Sequence, residues 1–218
     1  SWKVDIENIT FKLSLTDFGH VGIFPEQMVV WRWLRKYLSG QKKSSECRVL
    51  NLFAYTGGSS LACALEGASV CHVDASPATV NWAKENATLN GIEKGIRWIV
   101  DDVFKFVERE IRRGKKYEAI ILDPPTFGRG PQGQLFKFEE DLVRLLERCK
   151  ELLSPQAHFL ALSCHTPGIT GICLEHLVRQ SVGNRQGSVT QGDMLLEGEG
   201  LPLPNGTFAI WHQESKGE

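Results

Sequence analysis

The order of segments along the chain predicts a doubly wound α/β sheet, mostly parallel, with helices on both faces. Three observations carry this. Short, continuously apolar runs alternate with amphipathic segments of helical period from residue 48 to residue 163. Helix caps and stops fall between those runs at the right places. The 218 residues are 42% hydrophobic, 23% charged and 9% aromatic, enough apolar material for one packed core without disulfides or metals.

Along the first 25 residues, Val4, Ile6, Ile9, Phe11, Leu13 and Leu15 alternate with polar neighbours. That period of two predicts short strands, with a turn expected at Gly19 or Gly22. Pro25 suits the first turn of a helix whose stripe is Val30, Leu34, Tyr37 and Leu38 and whose stop is Gly40. The polar stretch that follows sets the expected boundary between an N-terminal unit, 1–45, and the main domain, 46–218.

Arg48–Phe53 reads as a buried first strand, followed by a helix over Ser59–Glu66 that Gly67 ends. Ser69–Asp74 is the second strand. Ser76 and Pro77 supply a cap and a first-turn proline for a helix stopped by Asn90-Gly91. Ile96–Val100 is the third strand, and Asp102 can cap a helix built on Val103, Phe106, Val107 and Ile111. Tyr117–Leu122 is the fourth. Leu142, Leu145, Leu146, Cys149 and Leu153 mark a long helix up to Ser154-Pro155, and His158–Ser163 is the fifth strand. Residues 183–206 hold six glycines and little periodicity, so loops around one or two strands are expected before a final strand at Phe208–His212.

Composition excludes several classes. A net charge of −1 rules out binding nucleic acid by bulk charge alone. The apolar runs fall short of the ~18 residues of a membrane span, and no charged-then-apolar leader opens the chain. The six cysteines show no zinc-ribbon or C-x-x-C spacing, so no metal is expected, and a reduced, cytoplasmic protein is. The chain opens on Ser1 and not on Met, as expected of a segment trimmed from a longer protein with an upstream module.

In an open parallel sheet, ligands bind beyond the carboxyl ends of the strands. The first strand runs into Asn51-Leu52-Phe53-Ala54-Tyr55-Thr56-Gly57-Gly58, whose paired glycines allow a tight turn and a close approach to a ligand. The second ends in Asp74, which can accept both hydroxyls of a ribose or cap the next helix. Together they indicate an adenosyl ligand without separating NAD from S-adenosylmethionine. Neither G-x-G-x-x-G nor a phosphate-loop GK[ST] is present, which disfavours a pyrophosphate. The third strand ends in Asp101-Asp102, where Asp102 can accept from an adenine amino group or cap its helix. The fourth ends in Asp123-Pro124-Pro125-Thr126-Phe127, a stiff exit whose carbonyls can orient a planar ring on which Phe127 stacks.

These residues carry a resemblance. NLFAYTGG, HVDAS, WAKEN, DDVFKF and DPPTFGRGPQG, in this order, resemble a class I S-adenosylmethionine-dependent methyltransferase, and more closely the branch of the ribosomal-RNA large-subunit enzymes. Gly22–Gln27 is similar to the segment that precedes the catalytic domain in that family. The resemblance implies a Rossmann-like, seven-stranded sheet with its last strand antiparallel. It implies S-adenosylmethionine as cofactor, held by Asn51, Phe53, Ala54, Tyr55, Thr56, Gly57 and Gly58, by Asp74, Ala75 and Ser76 at the ribose, and by Asp102 and Val103 at the adenine. Phe24 and Gln27 would close over it. Asp123, Pro124, Pro125 and Phe127 would hold the acceptor. Thr126 stands where amino-methylating enzymes with an Asp-Pro-Pro-Tyr signature carry an aromatic.

The partner expected from this resemblance is RNA, methylated at a base nitrogen or carbon; the alternatives are a nicotinamide-dependent oxidoreductase or a non-catalytic cofactor-binding module. Carbon chemistry would need a thiol that adds to the ring, and Cys164, next to His165, stands where 5-methylcytosine enzymes place one; a core cysteine is the simpler reading. Residues 32–48 carry a net +5 and residues 105–116 a net +4, against −4 over 186–218, a polarity that can offer RNA a basic face. The loop from Phe127 to Lys137 is expected to fold over substrate.

Overall fold

The computed structural model describes residues 1–16, 19–41, 47–130 and 132–214. The expected domain boundary at 45/46, with Lys42, Lys43 and Glu46 of the basic stretch, lies outside them.

Strands β1 (Trp2–Ile6) and β2 (Ile9–Leu13) form an antiparallel hairpin. Its turn is Glu7-Asn8, both left-handed at φ 53° and 59°, and not the expected Gly19 or Gly22. Such a two-residue turn matches the twist of the strands. Glutamate has no intrinsic preference for that conformation, so contacts distant in sequence hold it. Arg32 pairs with the Glu7 carboxylate at 2.7 Å, and Arg35 donates to the Glu7 carbonyl at 2.6 Å. Gly22 serves close packing instead: at φ +104° a Cβ there would collide with the Trp82 ring.

After a 3-10 turn at Pro25–Gln27, α1 (Met28–Ser39) buries Val30, Trp31, Leu34 and Leu38. Next come β3 (Arg48–Leu52), α2 (Gly58–Leu65), β4 (Ser69–Asp74), α3 (Pro77–Leu89), β5 (Ile96–Val100), α4 (Val103–Arg112) and β6 (Ala119–Leu122). The caps read from the sequence form: Ser76 Oγ accepts from Thr79 N at 3.3 Å, and Asp102 Oδ1 from Lys105 N at 3.0 Å. A small hairpin, β7 (Phe127–Arg129) with β8 (Leu135–Lys137), occupies the expected loop. Then follow α5 (Phe138–Leu152), β9 (Phe159–Cys164), α6 (Gly171–Val182), β10 (Ser188–Leu196) and β11 (Leu203–His212).

The seven-stranded sheet runs β10-β11-β9-β6-β3-β4-β5. The five strands read from the sequence are mutually parallel, and the final strand, β11, enters antiparallel between β9 and β10. This is the doubly wound α/β architecture expected. Alternate residues of each strand feed opposite faces. Leu50, Leu52, Ile120, Leu122, Leu160 and Leu162 pack with α4, α5 and α6, whereas Val49, Ala119, Ile121, Phe159 and Ala161 pack with α1.

Helix α6 is an addition to the elements read from the sequence. It is capped by Thr170, whose hydroxyl accepts from Cys173 N, and it buries Leu174, Val178 and Val182 before Gly183. Strand β10 falls within 183–206, where one or two strands were expected without bounds, because it lies at the sheet edge and is mostly polar; β11 begins five residues earlier than Phe208, in an exposed ribbon with β10.

The N-terminal hairpin is fastened to α3 through side chains acting as a surrogate strand. Asn90 accepts from Thr10 N and donates to Thr10 O, both at 2.8 Å, and Trp82 Nε1 donates to Lys12 O at 2.8 Å. Fully buried Asn86 accepts from Lys12 N at 2.9 Å and donates to Thr56 O at 3.0 Å, tying hairpin, helix and the loop after β3 together. The WAKEN motif thus has a mechanical role. Replacing Asn86 by Leu leaves two buried backbone groups unpaired, each costing about 1–3 kcal/mol. Denaturant unfolding of Asn86→Leu should show a loss of about 2–6 kcal/mol, with unchanged far-ultraviolet dichroism before the transition.

Candidate functional site

The carboxyl ends of β3, β4, β5 and β6 open into one cavity of about 410 Å³. That size falls within the range of small-molecule sites.

The loop leaving β3 forms one wall in a strained conformation. Phe53 and Tyr55 are left-handed at φ 56° and 48°, although neither is glycine. Asp74 at the end of β4 stabilises this. Its Oδ2 accepts from Tyr55 N at 2.9 Å, and its Oδ1 accepts from Ser76 N at 2.9 Å and Thr79 Oγ1 at 2.8 Å. Oδ1 thereby commits both lone pairs, while Oδ2 retains one. Asp74, Ala75 and Ser76 line the cavity, with Asp102 and Val103 beside them. The Asp102 Oδ2 lies near the hairpin between α4 and the cavity, 3.0 Å from where a Cβ on Gly130 would sit.

The opposite end is formed by Asp123, Pro124, Pro125 and Thr126 after β6, and by His165 after β9. Asp123 Oδ1 accepts from Ser163 Oγ at 2.6 Å; Ser163 Oγ in turn accepts from the buried Gln27 Nε2 at 3.1 Å. Burial pushes the Asp123 carboxyl up, against the opposing pull of His165 and Ser163. The imidazole of His165 meets Glu26 Oε1 through Nε2 at 3.1 Å, and its Nδ1 lies 3.6 Å from Asp123 Oδ1. Burial alone would lower the His165 pKa, but the Glu26 hydrogen bond and the charges of Asp123 and Glu26 outweigh it and raise it.

Several sequence-read residues fall elsewhere. Gln27, Asn51, Ala54, Thr56, Gly57 and Gly58 line a separate void of about 40 Å³, adjoining the main cavity at Phe24, Phe53, Tyr55 and Asp123. Their polar groups are engaged within the protein. Asn51 donates to Ser60 Oγ at 2.9 Å and Thr56 to Gly22 O at 2.8 Å. Ser60 also meets Nδ1 of fully buried His72, whose pKa burial drives down to about 3, so this cluster stays neutral. A Cβ on Gly58 would strike the Trp31 ring, which by itself requires glycine there.

Phe127 needs correction too. Its side chain is 75% exposed and does not line the cavity. It pairs with Lys137 in the hairpin register, whereas the next pair, Gly128 with Phe136, lies on the cavity wall. The aromatic surface there comes from Phe136, 4.9 Å from the Phe53 ring, and from Phe24, 5.3 Å from Tyr55. The hairpin also brings Arg129 and Gly130 to the rim, so the segment does overlie the cavity, as a β-ribbon. Phe136 and His165 were not among the sequence-read site residues; the apolar–polar alternation at Leu135–Lys137 was the available signal for Phe136.

Cys164 is 1% exposed, belongs to the core and accepts from Thr166 N through sulfur. Burial raises its pKa, the opposite of an activated nucleophile. Among the described residues, no group of three or more His, Cys, Asp or Glu is placed to hold a metal ion, and no helix is long and apolar enough to cross a membrane.

Sheet order, strand-end carboxylates and cavity together define a nucleoside-binding α/β protein, and comparison with known proteins gives the class. The chain belongs to the S-adenosylmethionine-dependent methyltransferase family, whose model matches residues 1–184. The crystal structure of an S-adenosylmethionine-dependent methyltransferase from Agrobacterium tumefaciens superposes with a TM-score of 0.91 at 38% identity, covering 98% of this chain and 70% of that one. Proteins named ribosomal RNA large subunit methyltransferase K/L are 38% identical over 148 residues in Shewanella baltica strain OS155 and 37% identical over 153 in Shewanella loihica. These alignments take in 66% and 69% of this chain but only 20% of either relative. Family membership sets aside the nicotinamide oxidoreductase alternative.

Five of the six cysteines are buried and only Cys173 is exposed. Titration of the native protein with a thiol reagent near neutral pH should therefore find one fast-reacting group, lost in Cys173→Ser. A second fast thiol assigned to Cys164 would restore the nucleophile reading.

Proposed function

We propose that the chain transfers a methyl group from S-adenosylmethionine to a base nitrogen of RNA, ribosomal RNA by preference, in the cytoplasm. The observation that carries the reading is a single cavity joining Asp74 and Asp102 at one end to Asp123 and Pro124 at the other. The donor set suits the cofactor. Asp74 Oδ2 keeps a lone pair for a ribose hydroxyl, Asp102 and Val103 offer an edge and a surface for adenine, and Phe53 and Tyr55 provide an uncharged wall for the methionine chain. Bound there, the cofactor supplies an electrophilic methyl group on a sulfonium, and what the protein must add is alignment and exclusion of water.

The chain's own residues do this at the acceptor end. The Asp123 carboxylate and the Pro124 carbonyl accept hydrogen bonds from a planar amine, and the two prolines fix both acceptors. Phe24 and Phe136 flank that end and keep water out. Nitrogen is preferred over carbon because Cys164 is buried and does not line the cavity.

For RNA, support comes from the names of the relatives and from Arg129 at the cavity rim. The two basic stretches add less than their charge suggests. Arg32, Arg35, Arg48, Arg109 and Arg113 all pair with carboxylates of the same chain.

Asp74→Ala should weaken binding of S-adenosylhomocysteine by about 1.5–3 kcal/mol, some 10- to 150-fold, measured by calorimetry. Incubation with methyl-labelled S-adenosylmethionine and RNA from cells lacking the protein should label RNA. Cofactor binding without label in RNA, protein or metabolites would leave a non-catalytic binding module.

A further inference from the structure

Glu26 is 2% exposed, a position a carboxylate occupies only when its oxygens are well satisfied. Its Oε1 accepts from Asn205 Nδ2 at 2.6 Å and from His165 Nε2 at 3.1 Å. An ionised carboxylate can only accept, so Nε2 carries the hydrogen and the neutral imidazole has its lone pair on Nδ1. Nδ1 lies on the Asp123 side, and His165 lines the main cavity. A buried carboxylate that fixes the tautomer of an imidazole beside a reaction cavity is the arrangement by which proteins make histidine a proton acceptor.

The surroundings hold the ring in this pose. The Phe24 ring lies 5.8 Å from it, centroid to centroid. Gly206 of β11 is left-handed at φ +118°, and a Cβ there would stand 2.7 Å from Cys164 O and 3.2 Å from His165 Cδ2. The charged groups that face His165 are Glu26 from the 3-10 turn and Asp123 from the end of β6; β11 contributes the neutral Asn205 and Gly206.

We infer that His165, oriented by Glu26, takes up a proton that the acceptor releases on methylation, and hence that the acceptor is an exocyclic amino group and not a ring nitrogen with a free lone pair. This rests on the methyl-transfer reading above and narrows its substrate. The amino nitrogen forms its bond to the methyl carbon while the carbon–sulfur bond breaks and its electron pair remains on sulfur. The nitrogen, now positively charged, gives its proton to Nδ1, and the N–H pair returns to nitrogen. The imidazolium is stabilised between Glu26 and Asp123 and passes the proton to water. A ring nitrogen that attacks through its lone pair has no proton to lose and would gain nothing from this pair.

Two measurements test this. In the ligand-free protein, the His165 ring titration followed by NMR should lie above the ordinary ~6.5 and fall in Glu26→Gln. An unshifted titration, or one that Glu26→Gln leaves in place, overturns the orienting role. With RNA from cells lacking the protein as substrate, His165→Gln should bind S-adenosylhomocysteine as the wild type does and lose about 100-fold or more in kcat. The acid limb should also change. Wild-type kcat falls as pH drops through the His165 pKa, because the base must be neutral, and that limb should vanish in the variant. A limb that persists in His165→Gln assigns the proton to Asp123 and overturns the inference, as does a labelled product methylated on a ring nitrogen. No methyl transfer by the wild type is a different result: it counts against the methyl-transfer reading, and the NMR titration still decides the Glu26–His165 pairing.

Discussion

The carboxylate of Asp74 keeps the chain leaving β3 in a shape it would not hold alone. Left-handed Phe53 and Tyr55 each cost about 1–3 kcal/mol of backbone strain, and such conformations persist only where the surroundings over-determine them. Asp74 does so by receiving Tyr55 N on one oxygen and the start of α3, through Ser76 N and Thr79 Oγ1, on the other. Strand end, loop and helix therefore share one anchor. The same loop is held from behind by Asn86, which grips the Thr56 carbonyl, and by the Thr56 hydroxyl on Gly22 O. The cavity wall is thus held by bonds within the chain, and a wall held in this way lowers the ordering cost of binding.

The far end of the cavity is assembled differently. There the polar groups come from segments distant in sequence: Glu26 and Gln27 before α1, Asp123 after β6, Ser163 and His165 on and after β9, and Asn205 on β11. The antiparallel insertion of β11 between β9 and β10 is what brings Asn205 within reach of Glu26. One end is a local turn braced by an aspartate; the other is a tertiary network that the sheet order creates.

That contrast explains what was legible in the sequence. The five parallel strands, the stops at Gly40, Gly67 and Asn90-Gly91, and the caps Ser76 and Asp102 are local signals, and they appear where the patterns put them. Asp74, Asp102 and Asp123 line one cavity, as the strand ends of a parallel sheet lead one to expect. The Glu7-Asn8 turn was missed because arginines of α1 select it. Phe136, and not Phe127, faces the cavity because a hairpin register decides which residues face inward, and three-residue strands leave little periodicity to read. At Gly58 the sequence did not reveal that Trp31 fills the space a side chain would need. The Glu26–His165 pair left no trace, since a histidine and a glutamate 139 residues apart reveal nothing until the sheet closes.

The most direct test of the central claim is a crystal structure of this chain with S-adenosylhomocysteine. The ligand should lie along the main cavity with a ribose hydroxyl on the free lone pair of Asp74 Oδ2, the adenine between Asp102 and Val103, and the sulfur toward Asp123, with Tyr55 N still bonded to Asp74. Ligand bound elsewhere, or bound only after Asp74 releases Tyr55 and the loop relaxes, would contradict a preformed site anchored on that carboxylate.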